Sequence, residues 1–403
     1  MRPTNRLPAA TRFHLLLAGA FFLEISGYLA FPYLSLQLRE RFGIAPTDIG
    51  RILMVAIWIR PLAALAGGLL STRLRPLTIF AFACLAEGAC FLLLGMSRGA
   101  SWAIFAVLIG NVGFSIWKPN IFALAYREDD TGSSATRIAL LNGILNAGAA
   151  FGSLISAAMI RFNISTVFLA SGILYPLLIP LFVPSLSMEG PAAEESDAPP
   201  RASSFRGQFL SLLLQWRTLA LILITVGFWA SYNQFNCFFS LFANDWLRDP
   251  SWTGTAFACV TVIVALSSMA LARWRTLSSR IMELAAVALI ALAIGWIFMT
   301  TSRSVSAVLV FLVSISVCET LLSVFLADSW GGLARGKKHL MQSLNFSVRS
   351  FGMGIGGLLG GWTYVAPEQT APLSRWGMQN VALLAIAMIG VLLFKVPSSE
   401  AKS

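Results

Sequence analysis

Apolar residues along this chain gather into blocks of about twenty, parted by short polar stretches that hold most of the charge. About twenty apolar residues in a helix cross the hydrocarbon of a bilayer. Cutting at charge clusters and Gly/Pro breaks predicts twelve spanning helices. The first six cover 14–37, 48–70, 77–96, 102–125, 139–160 and 164–184; the second six cover 218–242, 252–272, 281–301, 305–328, 341–364 and 378–396. Between the sixes lies SLSMEGPAAEESDAPPRASSFRG, rich in Pro, Ser, Ala and acid and lacking a core-forming pattern, which is linker chemistry. The expected fold class is all-α integral membrane, twelve transmembrane helices in two six-helix bundles. The bundles cover 1–184 and 208–403, and a cytoplasmic linker covers 185–207. The stretch QFLSLLLQWRTL mixes apolar residues with Gln215, Trp216 and Arg217 and is expected to lie along the cytoplasmic interface.

Composition agrees: 57% of residues are apolar and 12% charged, against about 25% charged in soluble domains. The net charge of +11 is placed by the positive-inside rule rather than by a nucleic-acid partner. Roughly eighteen Lys/Arg, among them Arg73, Arg75, Arg273, Arg275, Arg280, Arg335, Lys337 and Lys338, fall on the side of the termini and linker, and roughly eight on the other. Both termini are therefore expected in the cytoplasm. The first apolar run, after MRPTNRLPAATRFH, is too long for a signal-peptide core and reads as an uncleaved span. Compact loops suggest a bacterial inner membrane. Cys84, Cys90, Cys237, Cys259 and Cys318 all sit in apolar blocks without CxxC spacing, and His14 and His339 sit at predicted membrane edges. Packed thiols are expected, with no disulfide framework, metal site or cofactor. The sequence holds no GxSxG, HExxH or GxxxxGK[ST], so neither a hydrolase nor an ATP-driven pump is expected.

The candidate chemistry is ionisable residues at membrane depth, which are costly and commonly functional. Glu24 stands in FFLEISGYLAFPYLSL, Arg60 in IWIRPLAAL and Lys118 in SIWKPNIF. Glu24 is placed to pair with Lys118 or Arg60. Glu319, in SVCETLLS, and Arg349, in NFSVRSFG, form a second set on neighbouring spans. Desolvation favours a neutral acid and a nearby cation favours the carboxylate; between those pulls, Glu24 and Glu319 are candidates to carry a proton. The alternative is ion pairs that fix helix registry. Trp229, Asn233, Asn236 and Ser240 share one helical face, and Asn111, Asn142, Asn146 and Tyr28 border the same expected space. Interhelical hydrogen bonding is the competing role for each Asn. Glu87 lies on span three. Three cations (Arg60, Lys118, Arg349) against two acids tilt the site toward substrates bearing a carboxylate, with an aromatic part for Trp229 and Tyr28.

The halves repeat weakly. A shift of about 204 residues lays NAGAAFGSLI on SFGMGIGGLL, bringing Gly148 and Gly152 onto Gly352 and Gly356. Small residues at i, i+4 let membrane helices approach closely.

Six plus six spans, a polar linker and cytoplasmic termini resemble the major facilitator superfamily. GLLSTRLRP, Gly68 to Pro76, is similar to its loop motif G-x-L-A-D-R-x-G-R-R: Gly68, Leu70 and Arg73 match, while Thr72 replaces the aspartate and Arg75 the second glycine. Gly148-Ala149-Ala150-Phe151-Gly152 resembles the antiporter motif G-P-x-x-G with Ala149 for proline, and Ile109 stands near the expected place of the span-four arginine. The layout of GFWASYNQFNCFFSLFANDW and ETLLSVFLADSWGGLARG is similar to the drug:proton antiporter branch. The resemblance implies that spans 1, 4, 7 and 10 line a central cavity, that spans 2, 5, 8 and 11 flank it, that spans 3, 6, 9 and 12 face lipid, which gives Glu87 on span three lipid or packing contacts, and that substrate binds near the midplane. It implies a monomeric secondary transporter, proton-coupled and exporting a small organic molecule. A proton-coupled importer of an organic acid is the alternative reading, and a non-transporting membrane receptor the alternative of a different class. Protons, a small-molecule substrate and the lipid bilayer are the expected partners.

Overall fold

The computed structural model describes residues 9–71, 73–125, 134–186, 215–273, 280–333, 338–366 and 373–395. The expected linker from 187 on, Thr72 of the loop motif, and residues 208–214 of the interfacial stretch lie outside these. The described residues are helical and hold no strand. The helices are α1 (Ala9–Ala30), α2 (Leu34–Phe42), α3 (Pro46–Ser71), α4 (Pro76–Met96), α5 (Ala100–Ala125), α6 (Ser134–Met159) and α7 (Ile164–Leu186). After the linker come α8 (Trp216–Asp245), α9 (Ser251–Arg273), α10 (Ile281–Ser302), α11 (Val305–Gly332), α12 (Lys338–Thr363) and α13 (Ser374–Lys395).

Helices α1 and α2 make one span, Thr11–Phe42, through a 3-10 turn at Phe31–Tyr33. Pro32 has no N–H to continue the α-helical ladder, so the turn tightens there. Gly43 closes α2 at φ +65°, its N–H bonded to the Arg39 carbonyl, a conformation that costs glycine least. Pro46 then opens α3. Eleven of the twelve expected spans are long and apolar enough to cross a bilayer. The twelfth, α12, has the length but gathers Lys338, His339, Gln342, Ser343, Asn345, Ser347 and Arg349 into its first half. A polar stripe on a membrane helix belongs against protein or water.

Helix contacts divide the chain into two compact units. The first holds α1 to α7 together with Phe239–Ala265; the second holds α8 up to Phe238 and everything from Leu266 on. In the first unit α1 packs on α6 and α7, α4 on α5 and α7, and α3 on α5. Also in this unit, Arg39 at the end of α2 donates both terminal nitrogens to the two Asp245 oxygens at 2.6 Å, a bidentate pair that sequence reading missed. In the second unit α10 packs on α11 and α13, and α11 on α12. Its core is aromatic: Trp296 packs against Phe311 and Trp376. Gln234 Oε1 accepts from Trp376 Nε1 (2.6 Å) and Asn380 Nδ2 (2.9 Å).

The weak repeat has a physical counterpart. A Cβ on Gly148 would stand 2.5 Å from the Phe21 carbonyl oxygen, and one on Gly152 2.6 Å from that of Ile25. In the second unit a Cβ on Gly352 would stand 2.9 Å from Val226 Cα, and one on Gly356 would strike the Ala230 backbone. In each unit, then, two glycines one turn apart let one helix lie directly on the backbone of another. Gly143, by contrast, has open space where a side chain would go. Gly356→Ala is therefore expected to lower stability by about 1–3 kcal/mol, the usual cost of overpacking. Gly143→Ala should leave it unchanged or raised by up to about 1 kcal/mol. Thermal unfolding in detergent checks both.

Candidate functional site

Helix α5 carries Asn111, Phe114 and Lys118 at i, i+3 and i+7, on one face. Lys118 Nζ donates to Glu24 Oε1 on α1 at 2.6 Å. Glu24 is 4% exposed and Lys118 32%, so the acid is capped and the lysine is the accessible member of the pair. Gly148 of α6 abuts Glu24 Cβ, a side chain there coming within 3.0 Å. The acid thus sits at the close crossing of α1 and α6.

Arg60, the other partner considered for Glu24, is bonded to α5. Its Nε donates to Asn111 Oδ1 at 2.7 Å, while Asn111 Nδ2 donates to the Val107 carbonyl at 2.8 Å. Arg60 and Lys118 both lie over the Phe114 ring, at 5.0 and 5.2 Å from its centre. Cation–π contacts are worth roughly 0.5–2 kcal/mol each, and here one ring serves two cations. Each cation is also followed directly by a proline inside its helix, Pro61 and Pro119. Neither proline can donate to the carbonyl four residues back, so the ladder is open beside each charge.

The residue next to Lys118 turns elsewhere. Trp117 is buried, and its Nε1 donates to Glu87 Oε1 on α4; the Tyr175 hydroxyl of α7 bonds the same carboxyl. Glu87 is 4% exposed. It is buried inside the first unit, the packing alternative of the two expected for span three. Two aromatic donors with polar tips account for its burial.

In the second unit Arg349 stacks on Trp229, its guanidinium carbon 3.4 Å from the ring centre. Glu319 of α11 is bonded by Tyr232 of α8 and lies within electrostatic reach of Arg349. The helices thus bring the expected trio Trp229, Glu319 and Arg349 together and add Tyr232, one turn from Trp229. Asn233 is different: its Nδ2 donates to the Met353 carbonyl of α12 at 2.7 Å, and the residue is buried. Its amide ties two helices, as the interhelical alternative expected. Asn236 is half-buried, Asn142 exposed and Asn146 half-buried. Tyr28 packs edge-on against Phe31 and Phe257. The five cysteines are free thiols, four of them buried.

A family model described as Major Facilitator Superfamily matches residues 16–337. The chain belongs to the major facilitator superfamily. Membership makes it a multi-pass membrane transporter rather than an enzyme. No curated protein matches it. Among solved structures it is similar to the nucleoside transporter NupG at 14% identity, TM-score 0.75, covering 96% of this chain and 100% of that one. It is also similar to a point mutant of the peptide transporter POT in complex with sulfate, at 14% identity, TM-score 0.74, covering 96% and 95%. A structure titled for substrate recognition in proton dependent oligopeptide transporters matches at 14% identity, TM-score 0.72, covering 96% and 99%. At such identity the likeness is one of fold.

In a superfamily fold, the Glu24–Lys118 pair can be tested for structural weight. Lys118→Ala leaves a buried carboxylate without its cation and should cost about 3 kcal/mol, and adding Glu24→Gln should recover most of that. Thermal unfolding of the two singles and the double gives the coupling.

Proposed function

We propose that the protein is a proton-coupled secondary transporter that takes up a small organic acid by alternating access, with both termini in the cytoplasm of a bacterial inner membrane. One observation carries this reading: Lys118 Nζ rests on Glu24 Oε1 at 2.6 Å. A lysine held by one carboxylate is not free to hold another. Protonating Glu24 removes that hold, and the ammonium can then take a substrate carboxylate. Proton and anion therefore favour each other's binding, which is symport and not exchange. Arg60 and Phe114 beside Lys118 offer a second cation and a ring for an aromatic part of the substrate. Arg349 on Trp229 with Glu319 nearby repeats the theme of cation, ring and acid in the second unit.

The export reading rests on the loop and span-five motifs. It would need protonation to expel substrate, whereas competition for Lys118 works the other way. The site candidates are Glu24 and Glu319 for the proton, and Lys118, Arg60, Asn111, Arg349 and Trp229 for the substrate. Tyr28, Asn142, Asn146 and Asn236 remain candidates by position, and Asn233 as a second use of a structural amide.

Proteoliposomes with an imposed pH gradient test this. Aromatic carboxylic acids added on the acidic side should accumulate inside while a trapped dye reports protons entering with them. Protons and substrate running in opposite directions would establish exchange and defeat the proposal. Glu24→Gln is expected to keep substrate counterflow yet lose gradient-driven accumulation. Lys118→Ala should weaken binding of acids at least tenfold more than that of their neutral amides, an expectation from the roughly 1.5–3 kcal/mol of a charge-assisted hydrogen bond.

A further inference from the structure

Glu87 has no part in the uptake cycle just described, although it is a buried carboxyl beside the ion pair. Its carboxyl accepts from Trp117 Nε1 and is bonded by the Tyr175 hydroxyl. Its charged electrostatic neighbours are Lys118 on α5 and Glu24 on α1. Cys84 and Cys90 flank it on its own helix, Tyr175 faces it from α7, and Arg60 of α3 stands at the Phe114 ring, bonded to Asn111. The Tyr175 hydroxyl also reaches α1, where a Cβ on Gly27 would stand 2.9 Å from it. Gly27 is three residues past Glu24, on the adjoining turn. Tyr175 therefore stands between Glu87 and the turn of α1 that carries Glu24.

Two carboxylates beside one ammonium carry a net charge of −1, and both acids are 4% exposed, where uncompensated charge is costly. A single proton on either acid makes the group neutral. We propose that Glu87 is a second proton-holding carboxyl, sharing one proton with Glu24 across Lys118. With Lys118 on Glu24, as here, the proton resides on Glu87. In the alternative state the O–H bond at Glu87 breaks, one forms at Glu24, and Glu87 becomes the counter-ion of Lys118. No proton enters or leaves in that exchange. It rests on the uptake reading and deepens it: whichever acid holds the shared proton the group stays neutral, and it is a second, entering proton that frees Lys118 for a substrate carboxylate.

Infrared difference spectroscopy of the purified protein in lipid nanodiscs near neutral pH decides the matter through the carbonyl stretch of protonated carboxyls. Glu87→Gln, which keeps the shape and an acceptor for Trp117, should lose one carboxyl's worth of band relative to wild type. Glu24→Gln should lose the same band, since Glu87 must then ionise to balance Lys118. A band that persists in Glu24→Gln makes Glu87 an independent neutral acid with a purely structural role, and overturns the proposal. A band unchanged by Glu87→Gln overturns it also. If Glu87→Gln fails to fold, the Glu24→Gln spectrum alone decides. Neither substrate nor gradient enters the measurement, so its failure leaves the transport reading standing, and a failed accumulation assay leaves this one standing.

Discussion

An ammonium in an apolar bundle must have its charge met within the bundle. Each buried ion otherwise costs several kcal/mol. The bond from Lys118 to Glu24 meets that demand, and much of the first unit is arranged around it. Phe114 turns its face to the same lysine and to Arg60, and Asn111 Oδ1 accepts from Arg60 Nε. Trp117, one residue away and about 100° round the helix, carries the other face of α5 to Glu87. One helix thus presents a charged stripe to α1 and α3 and an indole donor to α4.

The glycine crossings explain why the charges stand where they do. Gly148 and Gly152 bring α6 onto the α1 backbone at Phe21 and Ile25. Glu24 lies between those residues, so its position is fixed by backbone contact rather than by flexible side chains. Gly352 and Gly356 do the same for α12 against Val226 and Ala230 of α8, and Trp229 lies between those. The matched crossing therefore carries an acid in one unit and an indole in the other. Each meets a cation from a neighbouring helix, Lys118 by ion pairing and Arg349 by cation–π stacking. Geometry has been kept across the repeat while the chemistry has changed.

Hydropathy is enough to read the spans, because the requirement for about twenty apolar residues is blunt and local. It is enough to single out Glu24, Lys118, Glu319 and Arg349, because ionisable residues at such depth are rare. It leaves open which cation meets Glu24, since Arg60 and Lys118 stand at similar depths and only the Asn111 bond separates them. It does not show what Glu87 packs against, because the partners of that acid, Trp117 and Tyr175, count as aromatic bulk in a hydropathy scan while acting through an N–H and an O–H. The partner of Asn233 is invisible for a different reason: its acceptor is the backbone carbonyl of Met353, and every residue has one. The Arg39–Asp245 pair joins chain segments about two hundred residues apart and leaves no periodic mark on either.

The sign of coupling follows from the stoichiometry of the contact rather than from any motif. Lys118 makes its 2.6 Å bond to a single carboxylate oxygen, with about two thirds of its side chain covered. A second anion gains full access to the ammonium only when the first gives it up, and in a site of low dielectric a carboxylate gives up a cation most readily by taking a proton. Were the lysine open enough to bind both anions at once, protonation and substrate would be independent. Were the acid alone, without a lysine, protonation would weaken only cationic substrates. The pair as built does neither, so on the proposed reading it would couple proton and organic anion with the same sign whichever face of the membrane it opened toward.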